Sequence, residues 1–280
     1  MDEVNHFRRV LVIWLVASII ATPLVIFVLA PIVPPGNGTV ESAGQVTDNT
    51  VLFGLSTPIA LAVIVWFLYA VIVFRERDTS GAVLDGPALR GDARIQMWWV
   101  VITTGIVLFL AGYGSIRLLS DGSGGGQGPN PIATPSQAKD PPLQVQVIAQ
   151  QWQFTYRWPG YGGVETQHLE IPADTTVEFN VTSLDVIHSF WAYQLGVKAD
   201  ANPGENNIAY VTTKQPLKFD IHCAELCGVW HGYMFDTGYV VTKAQFAAWI
   251  AAQRAQFAPA TKSLPPYSKS YFPDPQRLGG

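Results

Sequence analysis

Charge is scarce in this chain. Only 14% of its 280 residues are Asp, Glu, Lys or Arg, while 49% are hydrophobic. That balance is too apolar for an ordinary pair of water-soluble domains, so part of the chain belongs in lipid. Basic clusters are also missing. A formal net charge of -4 and an isoelectric point near 5.7 leave no patch of Lys and Arg able to hold a phosphate backbone, which excludes nucleic acid as a partner. Cysteine is down to Cys223 and Cys227, so a disulfide-dense secreted framework is excluded. No Cys lies near residue 30 to carry a lipid anchor, and no Cys-x-x-Cys-His occurs, so the chain carries no covalent haem.

Three apolar runs are present: Val10 to Ala30, Val51 to Phe74 and Trp98 to Ile116. None contains Asp, Glu, Lys, Arg or His. Each is close to the roughly 20 residues that a helix needs to cross a ~30 Å hydrocarbon core, and in lipid a single segment satisfies its backbone only as a helix. Arg8 and Arg9 precede the first run, and Arg75, Arg77, Arg90 and Arg94 lie between the second and third. By the excess of cations on the inner side these two stretches face the cytoplasm. The connection from Pro31 to Thr50 has no Lys or Arg and belongs outside, with everything after the third run. The first run also fits a signal peptide. Its length, and a proline at position 31 where a peptidase would cut, favour a retained helix.

From Ser120 to Pro142 the composition is Gly, Ser, Pro and Gln, which cannot bury a core and reads as a flexible linker. Apolar residues then alternate with polar ones: Val145, Val147 and Ala149; Phe154, Tyr156 and Trp158; Val177, Phe179 and Val181. Turn signals at 158–163, 172–174 and 202–204 separate these short strands, which favours an antiparallel sandwich. Thr242 can cap a helix with Phe246, Trp249, Ile250 and Phe257 at helical spacing, followed by a Pro-rich tail from Pro265.

The densest chemistry lies in Cys223-Ala-Glu-Leu-Cys-Gly-Val-Trp-His-Gly-Tyr-Met234, where two thiols, an imidazole and a thioether share one short segment. Thiolate, imidazole and thioether together suit copper, whose sites commonly carry a weak axial Met. Upstream, Asp185-Val-Ile-His188-Ser-Phe ends a predicted strand and offers a second imidazole. A Cys223–Cys227 disulfide would leave His231 and Met234 without a role. Structural zinc gains little from Met234, and a mononuclear blue-copper site needs only one thiolate. Two thiolates, two imidazoles and a thioether are enough to bridge and terminate two coppers.

These motifs, together with Val197-Lys-Ala-Asp200 and Pro203-Gly204, resemble cytochrome c oxidase subunit II over about residues 52–257. The resemblance implies a membrane-anchored all-β protein: a two-helix hairpin followed by a cupredoxin-like Greek-key β-sandwich, here with one additional N-terminal helix. The expected layout is an extra helix and external connection over 1–50, the hairpin over 51–118, the linker over 119–142, the copper domain over 143–241, and a C-terminal helix and tail over 242–280. By position in the motifs, His188 and Met234 complete one copper, His231 completes the other, and Cys223 and Cys227 bridge both. Glu225 offers its carbonyl to copper and its carboxylate to a magnesium ion shared with the catalytic subunit. Gln151-Trp152-Gln-Phe-Thr-Tyr156 resembles the aromatic stretch whose first Trp receives electrons, which puts that role on Trp152. His168 and His222 match no ligand position, and His222 points away from the site.

The implied function is electron transfer within an oxidase that reduces oxygen to water. Cytochrome c, or a partner cytochrome, is the donor, and the partners are the haem-bearing subunit I and subunit III. Two departures stand out. Gln96, in Arg94-Ile-Gln-Met-Trp98, replaces the family's carboxylate at the mouth of a proton channel, with Asp92 the nearest acid. Glu205 replaces the Arg that follows Pro-Gly. The copper A subunit of a related nitric oxide reductase, and a membrane-anchored copper carrier or sensor, are the competing functions.

Overall fold

The computed structural model describes residues 5–33, 36–75, 91–121, 125–132 and 141–263. They fall into two compact units, one built from 1–31 with 49–117 and the other from 32–48 with 118–280. Arg77, Arg90 and the Pro-rich tail lie outside the described residues.

The first unit is helical. Helix α1 spans His6–Leu24, α2 spans Val40–Val73 and α3 spans Ala93–Asp121. All three are long and apolar enough to cross a membrane, and none of their most apolar stretches is buried inside the chain. Pro23 removes a backbone donor inside α1, and the next turn widens into a π-helical Val25–Leu29 before a 3-10 turn at Ala30–Ile32. Helix α1 is tied to α2 by polar contacts far apart along it. His6 Nδ1 lies 2.8 Å from Tyr69 Oη, and Trp14 Nε1 donates to the Pro58 carbonyl at 2.8 Å. Helix α3 starts on Asp92, whose Oδ1 accepts the Arg94 and Ile95 N–H groups at 2.8 and 3.3 Å, an ordinary N-cap.

The second unit is a β-sandwich of cupredoxin type. Its strands are β1 Leu143–Gln150, β2 Gln153–Trp158, β3 Val164–Thr166, β4 Glu170–Pro172, β5 Thr176–Ser183, β6 His188–Ala192, β7 Val197–Ala201, β8 Asn207–Thr212, β9 Leu217–Cys223 and β10 Phe235–Val241. One sheet has the order β3-β2-β1-β5-β8 and the other β4-β10-β9-β6-β7. The antiparallel expectation holds for most pairs, but β1–β5 and β4–β10 run parallel, because the chain crosses between sheets instead of turning back beside itself. Val145, Val147, Phe179, Val181, Phe190, Phe219 and Ile221 fill the space between the sheets and are fully buried. Trp158 extends the core towards α4 (Lys243–Ser263), with ring centroids 5.6 Å from Phe246 and 5.4 Å from Trp249. Thr242 caps α4 as expected, in a reciprocal box with Gln245.

Two segments depart from the sequence expectation. The helix expected to start near Val51 begins at Val40, and the stretch before it is built into the sandwich. Gly38 exchanges backbone bonds with Gln194 and Lys214, and Thr39 bridges to Thr213. Thr39 Oγ1 donates to the Leu195 carbonyl at 2.6 Å and accepts the Ser42 N–H at 3.0 Å. Glu41 Oε2 accepts the Thr212 N–H at 2.7 Å, and Gln45 Nε2 donates to the Gly196 carbonyl at 2.6 Å. Gly196 is required here: its φ is +67°, and a Cβ would lie 2.8 Å from Ser42 Cα. The expected flexible linker is likewise fixed in part. Gly126 donates to Lys198 on β7, while Gln127 and Gly128 exchange bonds with Ile208 on β8, so the segment closes the seam between the two sheets. Composition missed both because the partners are backbone groups of turns and strand edges, which any residue can pair.

Candidate metal centre

Three connections meet at one end of the sandwich: the β1–β2 turn at Gln151 and Trp152, the β5–β6 loop at 184–187, and the β9–β10 loop at 224–234. The last is closed at its base by Cys223 N–H to the Met234 carbonyl, 3.0 Å, and is shaped within by a 3-10 turn at His231–Tyr233. His188 starts β6 on the inward face, next to Cys223 at the end of β9, because Phe190 pairs with Cys223 across the two strands.

All five expected side-chain ligands converge. Cys223 Sγ lies 3.7 Å from Cys227 Sγ and 3.8 Å from His188 Nδ1. Cys227 Sγ lies 3.5 Å from His231 Nδ1 and 3.8 Å from Met234 Sδ. The carbonyl of Glu225 is 3.2 Å from Cys223 Sγ. The ligand atoms of His188, Cys223 and Cys227 all lie within 4.8 Å of one another. Both cysteines are free thiols, and they, His188 and Met234 are buried. The sulfur separation is shorter than two metal–sulfur bonds of about 2.3 Å placed end to end, so an ion to either side of the line joining them can touch both. The donor set fits a soft metal. Burial, with the neighbouring Cys223, pushes the Cys227 thiol up to about 12, and a bound cation touching the sulfur would reverse that preference.

The non-ligand residues sort clearly. His222 lies on the other face of β9, stacked between Tyr193 and Phe235 at 5.2 and 5.9 Å. His168 binds Asp236 at 2.9 Å. The Glu225 side chain is exposed, and so is Glu205. Trp152 is half-buried, and its indole Nε1 donates to the Cys227 carbonyl at 3.1 Å.

Asp185 was read only as part of a motif, yet its Oδ1 lies 2.9 Å from His188 Nε2 and its Oδ2 accepts the Gln151 N–H at 2.7 Å. The carboxylate holds His188 with Nδ1 towards the sulfurs. Partial burial opposes its ionisation. The Gln151 N–H, the His188 ring and the Val186 N–H outweigh that and hold it below the usual carboxylate range. The only sequence signal for this role was an acid three residues before a candidate ligand.

The family described as "Cytochrome C oxidase subunit II, periplasmic domain" matches residues 164–241. Cytochrome c oxidase subunit 2 of Synechocystis sp. is 28% identical over 218 residues, 66% of this chain and 65% of that protein. Its Bacillus subtilis counterpart is 27% identical over 280 residues, 96% of this chain and 74% of that one. A solved structure of the periplasmic domain of cytochrome oxidase subunit II from Bradyrhizobium japonicum is 27% identical, with a TM-score of 0.41, covering 43% of this chain and all but 1% of that domain. The copper-type ligand set thus stands at the end of a sandwich whose residues 164–241 are similar to the periplasmic domain of cytochrome c oxidase subunit II.

Proposed function

We propose that this chain is the electron-accepting subunit II of a membrane-bound haem-copper terminal oxidase. The observation that carries the proposal is the convergence of His188, Cys223, Cys227, His231 and Met234 with the Glu225 carbonyl, alongside a Trp152 indole bonded to the Cys227 carbonyl. These residues would hold two copper ions. Bound there, the pair supplies a one-electron acceptor whose charge is shared between two ions. The protein's part is to bring the two sulfurs together, to fix His188 through Asp185, and to exclude water from the buried site. The indole bond supports Trp152 as the point where electrons arrive, since one hydrogen bond and a few covalent bonds join it to Cys227 Sγ. Cytochrome c or a partner cytochrome is the donor. The haem-bearing subunit I reduces oxygen to water, and subunit III is a further partner. The positive-inside rule places the copper domain on the outer face of the cell membrane with the N-terminus in the cytoplasm. The exposed carboxylate of Glu225 is free to meet a magnesium ion held mainly by subunit I.

The test is metal content and spectrum of the full chain in detergent. Two coppers per chain and a mixed-valence signal split by two equivalent copper nuclei are expected. One copper, or zinc near one per chain, would overturn the reading.

A further inference from the structure

The β1–β2 turn consists of Gln151 and Trp152 alone, since β1 ends at Gln150 and β2 begins at Gln153. Both side chains reach the same atom. Trp152 Nε1 donates to the Cys227 carbonyl at 3.1 Å, and Gln151 Nε2 donates to it at 2.9 Å, so two donors share its two lone pairs. The Gln151 backbone N–H goes to Asp185 Oδ2 at 2.7 Å, and the other oxygen of Asp185 contacts His188 Nε2 at 2.9 Å. Gln151 therefore touches the groups that orient ligands on two separate loops. The approach depends on Gly228, which follows Cys227. A Cβ there would sit 3.0 Å from Gln151 Nε2 and 3.2 Å from Trp152 Cζ2, and its φ of +119° favours glycine in any case.

We infer that Gln151 is a positioning residue for electron transfer: its amide and backbone lock the two-residue turn onto the metal loops, so that the Trp152 indole stays bonded to the Cys227 carbonyl. The inference rests on Trp152 being the point where electrons arrive. A half-buried indole held by one hydrogen bond competes with water for that carbonyl. A second donor from the adjacent residue, anchored by its own backbone to the His188 side of the site, removes the freedom the indole needs to swing away. An exposed Gln bonded by chance to the nearest carbonyl would have no such consequence, and the difference can be measured.

The experiment is a double-mutant cycle in the assembled oxidase. Reduction of the copper centre by saturating ferrocytochrome c is followed by stopped flow in the parent, Gln151→Met, Trp152→Phe and the double variant. Reduction by hexaammineruthenium(II), a small donor that bypasses the indole, is the control. Gln151→Met keeps the length of the side chain and removes the donor. It should slow the cytochrome c reaction about fivefold, the population shift expected for loss of one ordinary hydrogen bond. It should leave copper content, the mixed-valence spectrum and the ruthenium rate unchanged, and have no further effect on top of Trp152→Phe. If Trp152→Phe reacts like the parent, the role of Trp152 is wrong and the inference falls with it, while the copper assignment stands on its spectrum. If Trp152→Phe is slow but Gln151→Met is not, the inference alone is overturned. It is also overturned if the two effects multiply independently, or if Gln151→Met changes the spectrum.

Discussion

Thr39→Val tests whether the segment before α2 is part of the copper domain. The substitution keeps the shape of the side chain and removes one hydroxyl, which donates to the Leu195 carbonyl at 2.6 Å and accepts the Ser42 N–H at 3.0 Å. Thr39 is fully buried, so the freed groups gain no water in exchange. Loss of a helix cap costs about 1 kcal/mol. A buried carbonyl left without its partner costs roughly 1–3 kcal/mol more. A total of about 3 kcal/mol corresponds to a fall in Tm of roughly 6–12 °C for a domain of this size. The assay is thermal unfolding of the full chain in detergent, followed by near-ultraviolet circular dichroism, where the core aromatics Trp158, Tyr156 and Phe190 report sandwich packing and the membrane helices contribute little change. Thr39→Ser, which retains the hydroxyl, is the control and should stay near the parent. A shift under about 1 °C in Thr39→Val would mean that the contacts at 36–45 are not part of the cooperative unit. The copper domain would then begin near residue 143, as composition alone implies.

Cys223→Ser or Cys227→Ser should abolish the mixed-valence copper signal, whereas Met234→Leu should keep both coppers at an altered potential, because a thioether tunes more than it holds; copper loss in Met234→Leu comparable to that in the cysteine variants would refute the ranking of ligands. The raised Cys227 thiol, at about 12, stays protonated through the neutral range, so copper must displace its proton and loading should strengthen as pH rises, by about tenfold per unit for each proton released. Calorimetry of copper uptake by the metal-free chain at about pH 6 and 8, in buffers of different ionisation enthalpy, checks this, and equal affinity with no proton release would refute it. Asp92→Asn keeps the cap acceptor for the Arg94 and Ile95 N–H groups, so helix α3 should be unaffected and any marked slowing of oxidase turnover would be due to the lost carboxyl. Partial recovery on adding Gln96→Glu is expected if proton uptake starts here, and unchanged turnover in Asp92→Asn would remove this subunit from the proton path.

The sequence by itself determined the parts governed by composition and short-range spacing. Uncharged apolar runs permit only helices in lipid, and α1, α2 and α3 lie on those runs, α2 starting earlier, α3 longer at both ends, and α1 giving way to the π turn at Val25. Alternation in β1, β2 and β5 marked the inward residues, although Gln146 and Asn180, on the other faces of β1 and β5, are buried as well. The ligand segment 223–234 was legible because soft donors seldom gather so closely without a metal, and His222 was set aside because neighbours in a strand face opposite ways. The tertiary structure alone decided what depends on distant strands. It paired β1 with β5 and β4 with β10 in parallel, brought His188 to Cys223 through the β6–β9 register, and laid Gln151 and Trp152 across Gly228 onto the Cys227 carbonyl. It also drew 36–45 and 125–128 into the sandwich. The partners of both segments are backbone groups, which every residue carries, so no side-chain pattern announces them: 125–128 binds the edges of β7 and β8, and 36–45 binds the turn at 194–196 and the end of β8, and neither place exists until the sheets have formed.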